Sequence, residues 1–421
     1  MEVKVREYTH HLIQSDKKEG SIDVLKGTAF FPEHIKTALK NTPPGEWLPD
    51  IPAGCIRLSS GYPAPHLVPV KEFKAAIAGM LDVEEDLPFH YIGSPGIPRL
   101  KEQIRERLAV RGMAVGEEEL LITSGACQAI DLLARVLVDR DTVVALESPT
   151  YMEALEIFKN YTERFISLAV DEHGLDTTLF EKALAERKKT GRALPRFLYT
   201  IPSFQNPTGT TMSAKRREHL LSLASKYDFL IIEDDAYGEL GFKEKPVPIK
   251  ALDKEGRVIH IGSFSKVVAP GLRVGWLAGP GDVTKAAAWF KKDLDHPFAQ
   301  ASMAAFLEGT DFGKRLELLT DTYRQKAKEM IVSMKKNLPE EVSWYMPEGG
   351  YFVWLKVPGV DTAEMLEKAL DLGVSYVPGK YFFLDQAKGS EFLRISFSYV
   401  EKEEIIEGVK RLGNVMKTMR K

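Results

Sequence analysis

The sequence predicts an α/β fold, with a large domain on a mostly parallel sheet and a smaller α+β domain. Three observations carry this. From about residue 98, short apolar runs alternate with amphipathic helical stretches. The runs are apolar at successive positions, as in strands buried on both faces, instead of at every second one. After about residue 305 the alternation gives way to a long charged helix followed by a different mixture of strands and helices.

Taken in order, the first 50 or so residues fit neither pattern, and NTPPGEWLPDIPAG (Asn41–Gly54) is rich in turn formers. PRLKEQIRERLAVRG (Pro98–Gly112) reads as helix, ELLITS (Glu119–Ser124) as strand, ACQAIDLLARVL (Ala126–Leu137) as helix and TVVALES (Thr142–Ser148) as strand. The series continues through the strand RFLYTI (Arg196–Ile201), the helix SAKRREHLLSLASKYD (Ser213–Asp228), and the strands FLIIED (Phe229–Asp234) and RVIHIGS (Arg257–Ser263). The second pattern comprises a helix over Gly313–Lys336, VSWYMPEGGYFVWLKV (Val342–Val357), a helix around Ala363–Leu370, FLRISFS (Phe392–Ser398) and a closing helix from about Glu401. The expected division is a large domain over 69–308 and a small domain of 1–68 plus 309–421.

Composition narrows the function classes. The 421 residues exceed the roughly 100–200 of one ordinary domain. Fifty-seven basic against 60 acidic residues give a net charge of −3 with no long single-sign block, so nucleic acid is not an expected partner. Two cysteines, Cys55 and Cys127, cannot frame a disulfide scaffold and suit a reducing compartment, so the expected location is cytoplasmic. The amino terminus is charged and lacks a signal-type apolar run, and no uncharged apolar stretch of about 18 residues occurs, so no membrane association is expected.

In open parallel α/β sheets ligands bind beyond the carboxyl ends of the strands, so the chemistry is sought there. ELLIT ends in Ser124-Gly125-Ala126-Cys127, where small residues open a helix and backbone N–H groups can face an anion. FLIIE ends in Asp234 and Asp235, which could cap a helix, pair with a cation or bind a metal; no His or Cys cluster accompanies them, and no metal site is expected. RVIHIG ends in Ser263, Ser265 and Lys266. A strand-end lysine must pair or lose its proton, and a neutral buried amine is a nucleophile toward carbonyls. Arg273, seven positions on, offers a planar fork that with the serine hydroxyls suits a phosphate dianion.

Each signal has an ordinary alternative taken singly. Together they supply an amine for an aldehyde, an acid for a ring nitrogen and donors for a phosphate, which is what pyridoxal phosphate requires.

With these residues in place, the sequence resembles a fold-type I pyridoxal-phosphate-dependent transferase of the class I/II aminotransferase group. The motifs carrying the resemblance run in family order: SSGYP, FHYIGSPGIPRLKEQI, TSGACQAIDL, ESPTYMEAL, IPSFQNPTG, EDDAYGEL, SFSKVVAPGLRVGW, PEGGYFVWL and FLRISFS. The resemblance implies that Lys266 is the lysine that condenses with the cofactor aldehyde and then shuttles the substrate proton. Asp234 corresponds to the acid at the pyridine nitrogen, with Asp235 structural. Tyr237 and Asn206 correspond to the pair at the cofactor's phenolic oxygen, and Tyr151 to the aromatic stacked on the ring. Gly125, Ala126 and Cys127 would contribute backbone N–H groups to the phosphate cup, with Ser263, Ser265 and Arg273.

Tyr91 is similar to a tyrosine that reaches the neighbouring subunit's phosphate, which implies a homodimer with shared sites. Arg394 resembles the arginine that clamps the substrate α-carboxylate, assisted by Asn206 and by the Gly61 backbone.

The implied activity is ping-pong transamination from an L-amino acid to a 2-oxo acid, with 2-oxoglutarate as the favoured acceptor. The likeness is to 2-aminoadipate, kynurenine and aromatic aminotransferases. At this point a PLP-dependent β-lyase and a non-catalytic effector-binding domain remain open. Side-chain specificity is also open: Arg6 and Arg57 are the only arginines before Gly61, and Lys26 and His66 are the other cations considered for a distal carboxylate.

Overall fold

The structure, a computed structural model, describes residues 27–41, 45, 50–91, 93, 96–292 and 295–419. The chain divides into two compact units, residues 1–41 and 42–421. In the first, Gly27–Phe30 forms a 3-10 turn and Glu33–Ala38 a short helix.

In the second unit a short strand, β1 (Ile56–Arg57), precedes the main sheet. That sheet comprises β2 (Leu120–Thr123), β3 (Val144–Ser148), β4 (Phe165–Asp171), β5 (Gly174–Leu175), β6 (Phe197–Thr200), β7 (Leu230–Asp234), β8 (Val258–Ser263) and β9 (Gly275–Ala278), in the order β2-β9-β8-β7-β6-β3-β4-β5. The run β8, β7, β6, β3 and β4 is parallel, whereas β9 lies antiparallel to both β2 and β8. The mostly parallel sheet is as predicted. Its strands β2, β6, β8 and β9 are buried at every residue, which explains why their sequences are apolar without alternation.

The connecting helices bury one stripe each. Ala126–Leu137 buries Ala129, Ile130, Leu132, Leu133 and Ala134, and Ala214–Tyr227 ends at Asp228 in the left-handed conformation. The helix Phe312–Asn337 is capped by Asp311, whose carboxylate accepts from Lys314 N. It packs against the closing helix Lys402–Met419.

A second, four-stranded antiparallel sheet contains β10 (Ser343–Trp344), β11 (Phe352–Lys356), β13 (Val377–Pro378) and β14 (Phe392–Ser396), in the order β10-β11-β14-β13. The remaining strand, β12 (Val374–Ser375), pairs in parallel with β1. That pairing brings the segment after Arg57, which holds Gly61, to the second sheet's side of the molecule.

Candidate active site

The carboxyl ends of β2, β6, β7 and β8 meet β14 across one cleft, and most of the sequence-predicted residues face it. At the end of β2, Gly125 has φ +84°, and a Cβ there would lie 2.6 Å from Arg273 Nη2. Only glycine allows both the turn and that approach. Arg273 is itself left-handed (φ 52°) and donates from Nη2 to Ser124 O at 3.0 Å. Ser263 Oγ donates to Ser265 Oγ at 2.8 Å and accepts from Ser265 N at 3.1 Å. The helix start at Ala126 and Cys127, the Ser263–Ser265 hydroxyl pair and the Arg273 guanidinium thus gather donors at one strand end, where glycine lets the guanidinium pack against the turn. That geometry fits a phosphate.

Asp234, at the end of β7, is buried. Its Oδ2 accepts from Tyr199 OH at 2.7 Å and its Oδ1 from Ala236 N at a long 3.3 Å. Burial outweighs these bonds and pushes its carboxyl up to about 6. Asp235 turns the other way, to Arg111 Nη1 at 2.5 Å and His260 Nε2 at 3.2 Å. Although burial opposes ionisation, Arg111 and His260 hold its carboxyl well below the usual range.

Lys266 Nζ donates to Gly61 O at 2.9 Å and lies 5.7 Å from the centroid of Tyr237. Burial, aided by the Arg394 charge, lowers its amine to about 8. Its own carbonyl accepts from Tyr351 OH at 2.6 Å, and Tyr351 meets Tyr237 edge to face at 5.5 Å.

Arg394 is only 4% exposed. Its Nη1 donates to Asn206 Oδ1 at 2.8 Å and its Nη2 to Ser59 O at 3.2 Å, while its Nε, also buried, has no hydrogen-bond partner. The guanidinium carbon lies 4.1 Å from the Phe352 centroid. Burial brings this group down to about 10. An unpartnered buried guanidinium nitrogen calls for an anion, and a carboxylate has the matching fork.

Cys127 also engages through its side chain. Sγ donates to Glu153 Oε2 at 2.8 Å and lies 3.5 Å from Tyr151 OH. Burial and the Glu153 carboxylate push this thiol up to about 12. Sequence reasoning assigned Cys127 a backbone role alone and gave no role to Glu153, Tyr199 or Tyr351. Glu153 and Tyr351 sit inside the quoted motifs ESPTYMEAL and PEGGYFVWL, while the Tyr199 contact spans 35 residues and leaves no local signal.

Tyr91 stands apart from the cleft at 90% exposure. His66 is exposed and bound to Glu401 at 3.0 Å, and Arg6 and Lys26 lie outside the described residues. Among the described residues no group of three His, Cys, Asp or Glu could hold a metal, and no helix is long and apolar enough to cross a membrane.

The family model for "Aminotransferase class I and II" matches residues 54–412. Aromatic-amino-acid aminotransferase 1 of Thermococcus litoralis is 38% identical over 368 residues, 86% of this chain and 88% of that protein. The crystal structure of the multiple substrate aminotransferase from Thermococcus profundus matches with TM-score 0.87 at 34% identity, covering 94% of this chain and 99% of that one. The α-aminoadipate aminotransferase LysN of Thermus thermophilus, solved in complex with N-(5'-phosphopyridoxyl)-L-leucine, matches with TM-score 0.85 at 33% identity, covering 94% and 99%.

Proposed function

The chain belongs to the class I and II aminotransferases, pyridoxal-phosphate enzymes of fold type I, and we propose that it moves the α-amino group of an aromatic, aliphatic or 2-aminoadipate-like L-amino acid to 2-oxoglutarate by a ping-pong mechanism. The names of the relatives support the donor classes. They do not favour elimination.

When bound, pyridoxal phosphate supplies an electron sink for negative charge developing at the substrate Cα. The residues present fit it. Gly125, Ala126 and Cys127 backbone N–H groups, Ser263, Ser265 and Arg273 would hold the phosphate, and Asp234 would pair with the ring nitrogen. Tyr237 and Asn206 would donate at the phenolic oxygen, and Tyr151 would lie on the ring face.

Lys266 would then act as base and acid, taking the Cα proton on Nζ and giving it up to the carbon on the other side of the transferred nitrogen. An amine near 8 is poised for that exchange at neutral to mildly basic pH. Arg394 orients the substrate by its α-carboxylate, and Asn206, already bound to Nη1, fixes the guanidinium. The Gly61 carbonyl accepts from Lys266, so on this reading Gly61 positions the lysine in addition to any contact with the carboxylate.

The observation that carries the proposal is the convergence of a buried strand-end lysine, donating to Gly61 O, with a buried arginine whose Nε is unpartnered. The test is Lys266→Ala. Wild type should acquire a visible absorption band with pyridoxal phosphate and lose it on adding a donor amino acid. The variant should bind the cofactor without that band and turn over at least about 10³-fold more slowly. Equal turnover would remove Lys266 from the mechanism.

The proposed assembly is a homodimer. Exposed Tyr91 supports it, as does an open apolar groove of about 610 Å³ lined by Val68, Val70, Phe73, Ile77, Leu81 and Leu272, the last adjoining Arg273 in the chain. Sedimentation of the full chain as a monomer at micromolar concentration would overturn it. The two-domain division at 69–308, supported by the two separate sheets, and a cytoplasmic location, supported by two free cysteines, complete the reading.

A further inference from the structure

The helix Ala126–Leu137 presents Cys127 in its first turn, a place where the positive end of a helix ordinarily promotes the thiolate. Here the opposite holds. The carboxylate of Glu153, from the first turn of the helix Met152–Lys159, accepts from Sγ at 2.8 Å. With the S–H directed to that acceptor, the Tyr151 hydroxyl 3.5 Å away is the group left to donate to sulfur, and it also interacts with the Glu153 carboxylate. The three side chains form a cluster in which Sγ–H and the Tyr151 hydroxyl both meet the carboxylate.

We propose that Glu153 is a positioning residue, which holds Cys127 as a neutral thiol donor and, directly and through it, fixes the Tyr151 ring as a platform in the cofactor cleft. The platform part rests on the reading that Tyr151 lies on the cofactor ring. A thiolate beside Lys266 would be a second, stronger nucleophile at the same aldehyde, and the carboxylate suppresses it without occupying the lysine's place. The other charged and titratable groups facing these side chains are Tyr199 from β6, Asp234 from β7, Lys266 after β8, Tyr237 and Arg394 from β14. Burial and the Glu153 charge both act to keep the proton on sulfur, whereas the Tyr151 hydroxyl acts against it.

The test is alkylation of Cys127 by iodoacetamide in the full chain, followed by peptide mass spectrometry from pH 7 to 11, with Cys55 as internal reference. Glu153→Gln keeps the shape and removes the charge. Its Cys127 alkylation rate at pH 9 should rise at least about tenfold over wild type. Tyr151→Phe removes the donor to sulfur and should slow the same reaction.

These opposite signs separate the proposal from mere loosening, which would speed both and overturn it. Superimposable pH profiles for wild type and Glu153→Gln would overturn it as well. Cofactor binding supplies the second readout: Glu153→Gln should weaken pyridoxal phosphate binding about three- to tenfold by spectral titration, and unchanged affinity would sink the platform role. Failure of wild type to bind pyridoxal phosphate would instead count against the proposed function, since the thiol profile is read without cofactor.

Discussion

Two sides of the end of β7 use the same residue types to different ends. On one side, Asp235 meets Arg111 and His260, Glu233 accepts from Ile249 N at 2.7 Å and Lys250 N at 2.9 Å, and Glu239 is held by Arg107 Nη2 at 2.7 Å. Each acid there has a cation or backbone donors within reach. On the other side, Asp234, Lys266 and Arg394 point into one cleft without any salt bridge between them, each displaced from its ordinary proton affinity mainly by burial. Adjacent acids in the sequence, Asp234 and Asp235, thereby end with opposite shifts. The difference teaches that the structural side gives each acid a partner within the fold, although Arg111 Nη2, Asp235 Oδ1 and His260 Nδ1 there stay without a hydrogen bond, while the cleft side leaves its acid, amine and guanidinium for a ligand that brings the counter-charge.

The largest expected effect breaks the structural side. Arg111→Met leaves Asp235 buried with only His260, and removal of one partner from a buried pair costs about 3–5 kcal/mol. Urea denaturation of the cofactor-free protein should show that loss, with the surviving folded fraction still binding pyridoxal phosphate. A loss under about 1 kcal/mol would mean that the two sides are less distinct than their geometry implies.

The next sharpens the cleft side. Asp234→Asn should lower turnover about 10²–10³-fold, since its charge is placed for the ring nitrogen. The same substitution should stabilise the cofactor-free protein. Asp234 titrates at about 6 in the fold against an ordinary value of 3.8, so the native state binds the extra proton between them. Wild-type stability from this group is therefore present below about 3.8 and lost as the pH rises through about 6, a change of about 2–3 kcal/mol. The stability gap in favour of the variant should open between those values and stay flat above them. A variant less stable than wild type at pH 8 would refute the idea that this carboxylate is held at a cost.

The sequence showed one side of this comparison far better than the other. Lys266, Asp234 and Arg273 stand out because their residue types sit at strand ends in short motifs, Asn206 only through the family resemblance, and the strands themselves because full burial removes alternation. The structural side was not. Arg111 belongs to an amphipathic helix stretch whose pattern says only that charged residues face outward, yet it reaches Asp235 across 124 positions. Strand direction was also hidden: β9 reads like its parallel neighbours, since apolar runs carry no sign of orientation. Glu153 and Cys127 were visible as letters, but their pairing depends on two helix starts meeting in space.

The smallest effect tests the side-chain bond from Tyr199 to the cleft acid. Tyr199 is fully buried, edge to face with Phe158 at 5.5 Å, and its hydroxyl donates to Asp234 Oδ2 at 2.7 Å. Tyr199→Phe keeps the ring and removes the donor, and since that bond lowers the Asp234 pKa, its loss should raise it further. Pyridoxal phosphate affinity should then fall by several-fold at pH 6 and recover toward wild type at pH 8, where the carboxylate is ionised in both proteins. This is about 1 kcal/mol, the net worth of one hydrogen bond. An affinity loss independent of pH would assign Tyr199 to packing alone, and would move Asp234's tuning wholly to its burial.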